Sequence, residues 1–309
     1  MSRFRQFEPD DQHSPSPSAS RTSDREIESD GQHTGRASSG QAQQTDAPSL
    51  DPREPQDRAR LRTLHHDRGR AFQLRDTEVA ALIEIAKFRT VRTDDLAEIL
   101  YKGDSERAAQ DLRNLTAQGL IQRRTLDGTQ KDQLLTVTRA GKEILQRKPQ
   151  SLSTNQVLYH GFVKPREARH DAALYRLYHK AAETIARQGG TKLRVVLDFE
   201  LKRKLYRELA KLKSLPPEAQ ANAKTQIAEA HGLKVVNGKI PLPDLRIEYE
   251  TREHEQARID LELVTKDYRG HHIADKAQAG FSIYAPTEDA PRLRAALQDP
   301  HLITEILSL

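Results

Sequence analysis

The chain has no cysteine, no tryptophan and a single methionine. Without cysteine, disulfides and thiolate metal sites are both excluded. No apolar run approaches the roughly 18–20 residues that cross a bilayer, and the opening MSRFRQFEPDDQ lacks the apolar core of a secretory signal. Gly-rich phosphate loops are absent, and no nucleophile–base–acid arrangement stands out, which argues against ATP hydrolysis. Hydrophobic residues make up only 36% of the chain and charged residues 31%. So low an apolar share suggests that part of the chain does not fold. The expectation is a cytoplasmic protein with no membrane partner.

What is present is a basic balance of +5, with a pI near 9.3. Its distribution matters more than its total. Residues 1–70 hold 11 Arg against 12 Asp/Glu, and residues 76–146 hold 11 Lys/Arg against 12. The excess lies in residues 147–309, with 27 Lys/Arg against 21 Asp/Glu. A basic region that also carries acids suits a protein that meets a phosphate backbone.

Residues 1–70 are rich in Ser, Gln, Asp, Arg, Pro and Gly and show no apolar period, so they read as a disordered tail. From Asp76 the pattern becomes helical. Asp76 caps a first helix with Val79, Leu82, Ile83 and Ile85 inward, and Thr93 caps a short second helix. After the turn Gly103-Asp104-Ser105 comes a third helix, ended by Gly119. Strands Leu120–Leu126 and Gln133–Thr138 follow, joined around Gly128, and a closing helix begins at Thr138-Arg-Ala-Gly141. This order resembles that of many winged-helix DNA-binding domains. On that resemblance the third helix reads the major groove through Ser105, Arg107, Gln110, Arg113 and Asn114, while Arg123, Arg124 and Lys131 meet phosphates or the minor groove. The domain's own charge of −1 leaves protein contact or dimerisation open as a use for the same fold.

Residues 147–154 read as a linker. Beyond it the pattern predicts a helix over 167–188, a strand at 193–199, and two charged helices over 201–230 split by Pro216-Pro217. A tight turn at Asn237-Gly238 precedes paired strands 245–250 and 257–264, then helices over 272–284 and 291–309. Within this half Pro243-Asp244 precedes a strand, and Asp260, Glu262, Val264 and Lys266 share one face of the next. Close carboxylates are costly unless a cation holds them. Asp244 and Glu262 are thus candidate ligands for magnesium, with Glu200 a possible third carboxylate or simply a first-turn helix acid. His170-Asp171 and His271-His272 are candidate bases or ligands, or ordinary surface residues.

The acid after Pro243, the second acid on the next strand, a lysine and a following helix look like the PD-(D/E)XK nuclease fold. With a winged helix first, the arrangement is similar to the replication-relaxation family of plasmids and mobile elements. The match rests on His170-Asp171, Pro243-Asp244, Glu262 and Lys276 to Tyr284, within roughly residues 76–290. The resemblance implies an α+β chain in three parts: a disordered tail (1–70), a winged helix-turn-helix domain (71–148) and a nuclease-like domain with a central mixed sheet (155–309). It further implies binding of double-stranded DNA, with a homodimer and metal-dependent nicking both left open as expectations. In that case Asp244 and Glu262 hold Mg2+, and Lys266 or Lys276 steadies charge on the phosphate. The nuclease pattern wants lysine two residues after the second acid, where this chain has Val264. That displacement keeps open a non-enzymatic regulator with an inactive nuclease-like domain.

Overall fold

The computed structural model describes residues 61–67, 69–125, 133–147, 152–162, 165–265, 268, 270–296 and 307–308, all within one compact unit, Arg53–Leu309. The first 60 residues, the hairpin tip with Lys131, and Lys266 lie outside them. The chain is mixed α+β. Among the described residues, no helix is long and apolar enough to cross a membrane.

The first half opens on a hairpin, β1 (Thr63–Asp67) and β2 (Arg70–Leu74). This corrects the tail boundary at residue 70. A hairpin was not legible in TLHHDRGRAFQL because only Phe72 and Leu74 become buried. Helix α1 (Asp76–Lys87) follows. Its cap is Arg75, one residue before the expected Asp76, and the Glu78 carboxylate accepts from the Arg75 backbone N–H at 2.7 Å. Strand β3 (Val91–Arg92) leads into α2 (Thr93–Ile99), where Thr93 is the first helical residue and Arg92 the cap. Lys102 and Gly103, at φ 54° and 85°, then turn the chain into α3 (Ser105–Ala117), capped by Asp104. Strands β4 (Ile121–Thr125) and β5 (Gln133–Val137) pair antiparallel, and β3 adds to β5, giving the order β3-β5-β4.

Helix α4 (Arg139–Gln146) closes this half, and Thr138 caps it by accepting from the Gly141 N–H. Gly141 packs so closely that an added Cβ would lie 2.3 Å from the Leu120 carbonyl oxygen and 2.8 Å from Val137 Cγ1. The first is a backbone atom of the residue just before β4 and the second a buried side chain of β5, so neither yields easily. Gly141→Ala is therefore expected to cost about 2 kcal/mol and to lower the thermal midpoint by roughly 4–8 °C. An unchanged midpoint in a melting experiment would show that α4 does not sit this close.

The second half wraps the long helix α5 (Pro165–Arg187) and a five-stranded sheet. Strand β6 (Thr191–Leu197) precedes α6 (Asp198–Leu209), a 3-10 segment (Ala210–Ser214) and α7 (Pro217–Ala230), with the break at Pro216 as expected. Asn237-Gly238 forms its tight turn with φ values of 49° and 71°, held by the single bridge Val236–Lys239. Strands β7 (Leu245–Glu250) and β8 (Gln256–Leu263) continue an antiparallel meander from β6.

The end of the chain departs from expectation. Helix α8 (Gly270–Gln278) stops early, and Ser282–Ala285 is strand β9, parallel to β8. Helix α9 is described over Ala290–Ala296, residues 297–306 lie outside the described residues, and Leu307–Ser308 is strand β10, parallel to β9. Phe-Ser-Ile-Tyr-Ala is a short apolar run whose length and β-branching suit a buried strand as well as a helix, and Gly280 at φ 90° ends the helix before it. The sheet order is β10-β9-β8-β7-β6, a mixed sheet.

The two sheet faces carry separate cores. Leu245, Ile247, Leu261, Leu263 and Tyr284 pack under α5. Val264 and Ile283 pack with Leu205, Ala228 and Ile273 of α6, α7 and α8. The first core continues unbroken into the N-terminal half, where the Phe88 ring meets Tyr175 edge-on with centroids 5.3 Å apart.

Candidate functional site

Strand pairing brings the two acids together. Leu245 sits opposite Leu261, which puts Asp244 beside Glu262 at the end of the β7–β8 pair. The Asp244 N–H donates to Glu262 Oε2 at 3.2 Å, and the Leu263 N–H donates to Asp244 Oδ2 at 2.9 Å. Lys276 reaches over from α8 and places Nζ 2.7 Å from Glu262 Oε1 and 2.6 Å from the Leu242 carbonyl. The Tyr268 hydroxyl donates to the same Oε1 at 2.9 Å. From α5, His170 Nε2 lies 3.3 Å from Asp244 Oδ1. Strand, loop and two helices thus converge on one carboxylate pair.

The electrostatics follow from this packing. Glu262 is 0% exposed. Burial, reinforced by the neighbouring Asp244 charge, pushes its carboxyl up to about 7, although Lys276 and Tyr268 pull the other way. Burial works against the His170 cation, but the hydrogen bond and charge of Asp244 outweigh it, so His170 is raised. Asp171 is raised by burial to about 6 despite Arg89, whose guanidinium lies 3.3 Å from its carboxylate. His170, Asp171 and Asp244 open onto a cleft of about 550 Å³, also lined by Arg89, Phe199 and Lys202.

Other candidates are used elsewhere. Asp260 shares the Glu262 side of the sheet but holds Arg246 in a two-pronged ion pair at 2.6 and 2.9 Å. Glu200 falls in the first turn of α6, buried, where Arg194 and Lys204 bond it, so it adds no third carboxylate to the pair. His271 and His272 stack on each other at 4.1 Å on an exposed helix start. His170 was singled out in the sequence, but its pairing with Asp244 was not. Tyr268 was not singled out at all, and only its closeness in sequence to Glu262 hinted at it.

Magnesium takes six oxygens in near-octahedral geometry. Here Glu262 is sealed from water and both its oxygens are already bonded, while Asp244 keeps only Oδ1 towards the cleft, beside His170. No group of three or more ligating side chains occurs among the described residues. The pair in this arrangement does not fit magnesium, and Lys276 supplies the positive charge between the two acids and α8. What the cluster offers the cleft is a histidine–aspartate pair able to hold or move a proton.

On the first half, α3 presents Ser105, Gln110 and Arg113 outward. Gln110 accepts weakly from Arg75 at 3.3 Å, and Arg107 is half-buried. Asn114 turns inward, donating to the Gln73 carbonyl at 3.2 Å and to Glu78 at 2.9 Å. The unforeseen β1–β2 hairpin and Glu78 thus share its amide. Arg123 donates to Thr116 and Gln133, and Arg124 lies over the Phe162 ring at 4.5 Å.

No protein-family model matches the chain, and a search of curated proteins returns no match. Among solved structures the chain is similar to one described as "Crystal Structure of MarR", at 25% identity over 37% of this chain and 80% of that one, with a TM-score of 0.24. A superposition that loose does not set the fold or the function.

Proposed function

We propose that this is a DNA-binding protein of the kind the replication-relaxation resemblance implies, acting on plasmid or mobile-element duplex. In this reading residues 71–148 act as a winged helix-turn-helix and the α/β half engages the backbone. The observation that carries it is the helix–turn–helix itself. A tight Lys102-Gly103 turn joins α2 to α3, and α3 keeps an exposed outer face with Ser105, Gln110 and Arg113 beside the β4–β5 hairpin. Arg113 is the exposed cation at the middle of that face.

Arg113→Ala is expected to weaken duplex binding about tenfold, and to lower the salt slope by about one if Arg113 meets a phosphate. Fluorescence anisotropy of a labelled duplex over a salt series reads both. Absence of duplex binding by the wild-type chain at low salt would overturn the proposal.

A second reading, phosphodiester cleavage by the α/β half, is supported by the cluster of Asp244, Glu262, Lys276 and His170, of which Asp244 and His170 line the cleft. Nicking of supercoiled plasmid, measured with and without added magnesium, tests it with Asp244→Ala as the control. Plasmid left intact under both conditions, or cut equally by the variant, removes this reading and leaves a binding protein.

A further inference from the structure

Large apolar side chains are mostly hidden here, yet Phe199 and Tyr206 stand 49% and 58% exposed on α6. Phe199, Lys202, Arg203 and Tyr206 fall at i, i+3, i+4 and i+7, so they form one stripe along the helix. All four are exposed. The stripe starts at the candidate site, because Phe199 and Lys202 line the same cleft as His170 and Asp244.

Along the helix the charge is cationic, whereas the cleft at its start is lined by Glu167, Asp171, Asp198 and Asp244 against Arg89 and Lys202. Residues 199–215 hold six Lys/Arg and two Asp/Glu. Both acids are already engaged: Glu200 is buried against Arg194 and Lys204, and Glu208 lies 3.1 Å from His231. Lys202 pairs with Asp198 at 2.6 Å but remains exposed. Among the described residues, no ion pair is formed by Arg203, Arg207 or Lys213.

We propose that the α6 stripe is a binding track for single-stranded nucleic acid, feeding the strand into the cleft at Asp244. Phe199 and Tyr206 act as stacking platforms, set about 10 Å apart by the helical rise of 1.5 Å per residue. The flanking cations take the phosphates. A paired duplex hides its base faces, whereas unpaired bases offer them to exposed rings, so aromatics interleaved with cations select the single strand. The track rests on the reading that the α/β half engages nucleic acid. It names the substrate form that half would take: an unpaired strand, as at a melted or nicked site.

The test measures binding of the full chain to a labelled oligothymidylate of about 20 nucleotides and to a duplex of equal length. The double variant Phe199→Ala/Tyr206→Ala is expected to lose at least tenfold in single-strand affinity, with duplex affinity changed less than about twofold. Tyr206→Phe, which keeps the ring, is expected to bind the single strand as the wild type does. Both rings are exposed, so the melting midpoint serves as a check that the fold is kept. Equal losses on both ligands, no loss on either, or a wild-type chain with no single-strand affinity each overturn the track. Arg113→Ala separates the two ideas: duplex binding that depends on Arg113 survives a failed track, and single-strand binding that depends on Phe199 survives a failed α3 assignment.

Discussion

Lys276→Met is expected to destabilise the protein by about 3 kcal/mol at mildly alkaline pH and by far less at mildly acidic pH. Lys276 is the cation that balances the fully buried Glu262, at 2.7 Å. Removing one partner of a buried pair strands the other's charge, and the stranded group then escapes by taking a proton. Here the escape is already half prepared, because burial and the Asp244 charge hold the Glu262 carboxyl at about 7.

The sign is fixed by linkage. An acid whose folded value lies above its ordinary 4.5 gives stability that is fully present below 4.5 and is lost as pH rises through about 7. His170, raised above 6.5, adds a loss in the same direction as pH climbs past its folded value. The wild type should therefore weaken between about pH 5 and pH 8. The variant should weaken more steeply and over a range extending higher. Urea denaturation at several pH values measures this. A loss independent of pH would mean that Lys276 does not balance the Glu262 charge. Adding Glu262→Gln should recover much of the alkaline deficit, since no charge then remains to strand.

Arg246→Leu should cost about 3–5 kcal/mol, comparable to breaking other buried pairs. Arg246 is 3% exposed, and its guanidinium reaches both Asp260 oxygens, the His231 carbonyl at 2.6 Å and the Gly232 carbonyl at 3.2 Å. It ties the end of α7 to two strands at once. Leucine fills part of the space but orphans a carboxylate and two carbonyls. Arg246→Lys keeps the charge but lacks the planar fork, so it should recover only part of the loss. Arg246→Leu/Asp260→Leu should be less harmful than the single change, because the buried charge leaves with its partner. Denaturant midpoints rank the three variants. A single leucine variant within about 1 kcal/mol of wild type would show that this pair is not a structural anchor.

These two sites also show what could be read from the chain before it was folded. Strand parity puts Asp260 and Glu262 on one side of β8, because alternation depends only on the backbone; Val264 follows the strand, and Lys266, read onto the same face, lies outside the described residues. It could not say which acid would be claimed by a neighbour. Arg246 lies fourteen residues before Asp260, and only the β7–β8 register makes them partners. The helices α1, α3 and α5 were legible from apolar spacing. The β1–β2 hairpin was not, since Leu64 stays exposed and only Phe72 and Leu74 are buried, too few apolar positions to mark a strand pair. Lys276 was legible as a lysine on a helix near the acids. The Tyr268 and His170 contacts were not, because they depend on where a loop and a distant helix come to rest.

Helix α5 has a mechanical consequence. Arg176 on this helix grips Asp95 and Glu98 of α2, His179 meets Glu84 of α1 at 2.9 Å, and His170 on the same helix touches Asp244. The segment before α5 is stitched in as well: the Tyr159 N–H donates to the Ala86 carbonyl, and Gln156 bonds both backbone groups of Val195. A hinge between the halves would have to break all of these together. One continuous helix therefore ties α1 and α2 to Asp244, so a displacement at one end of it is carried to the other.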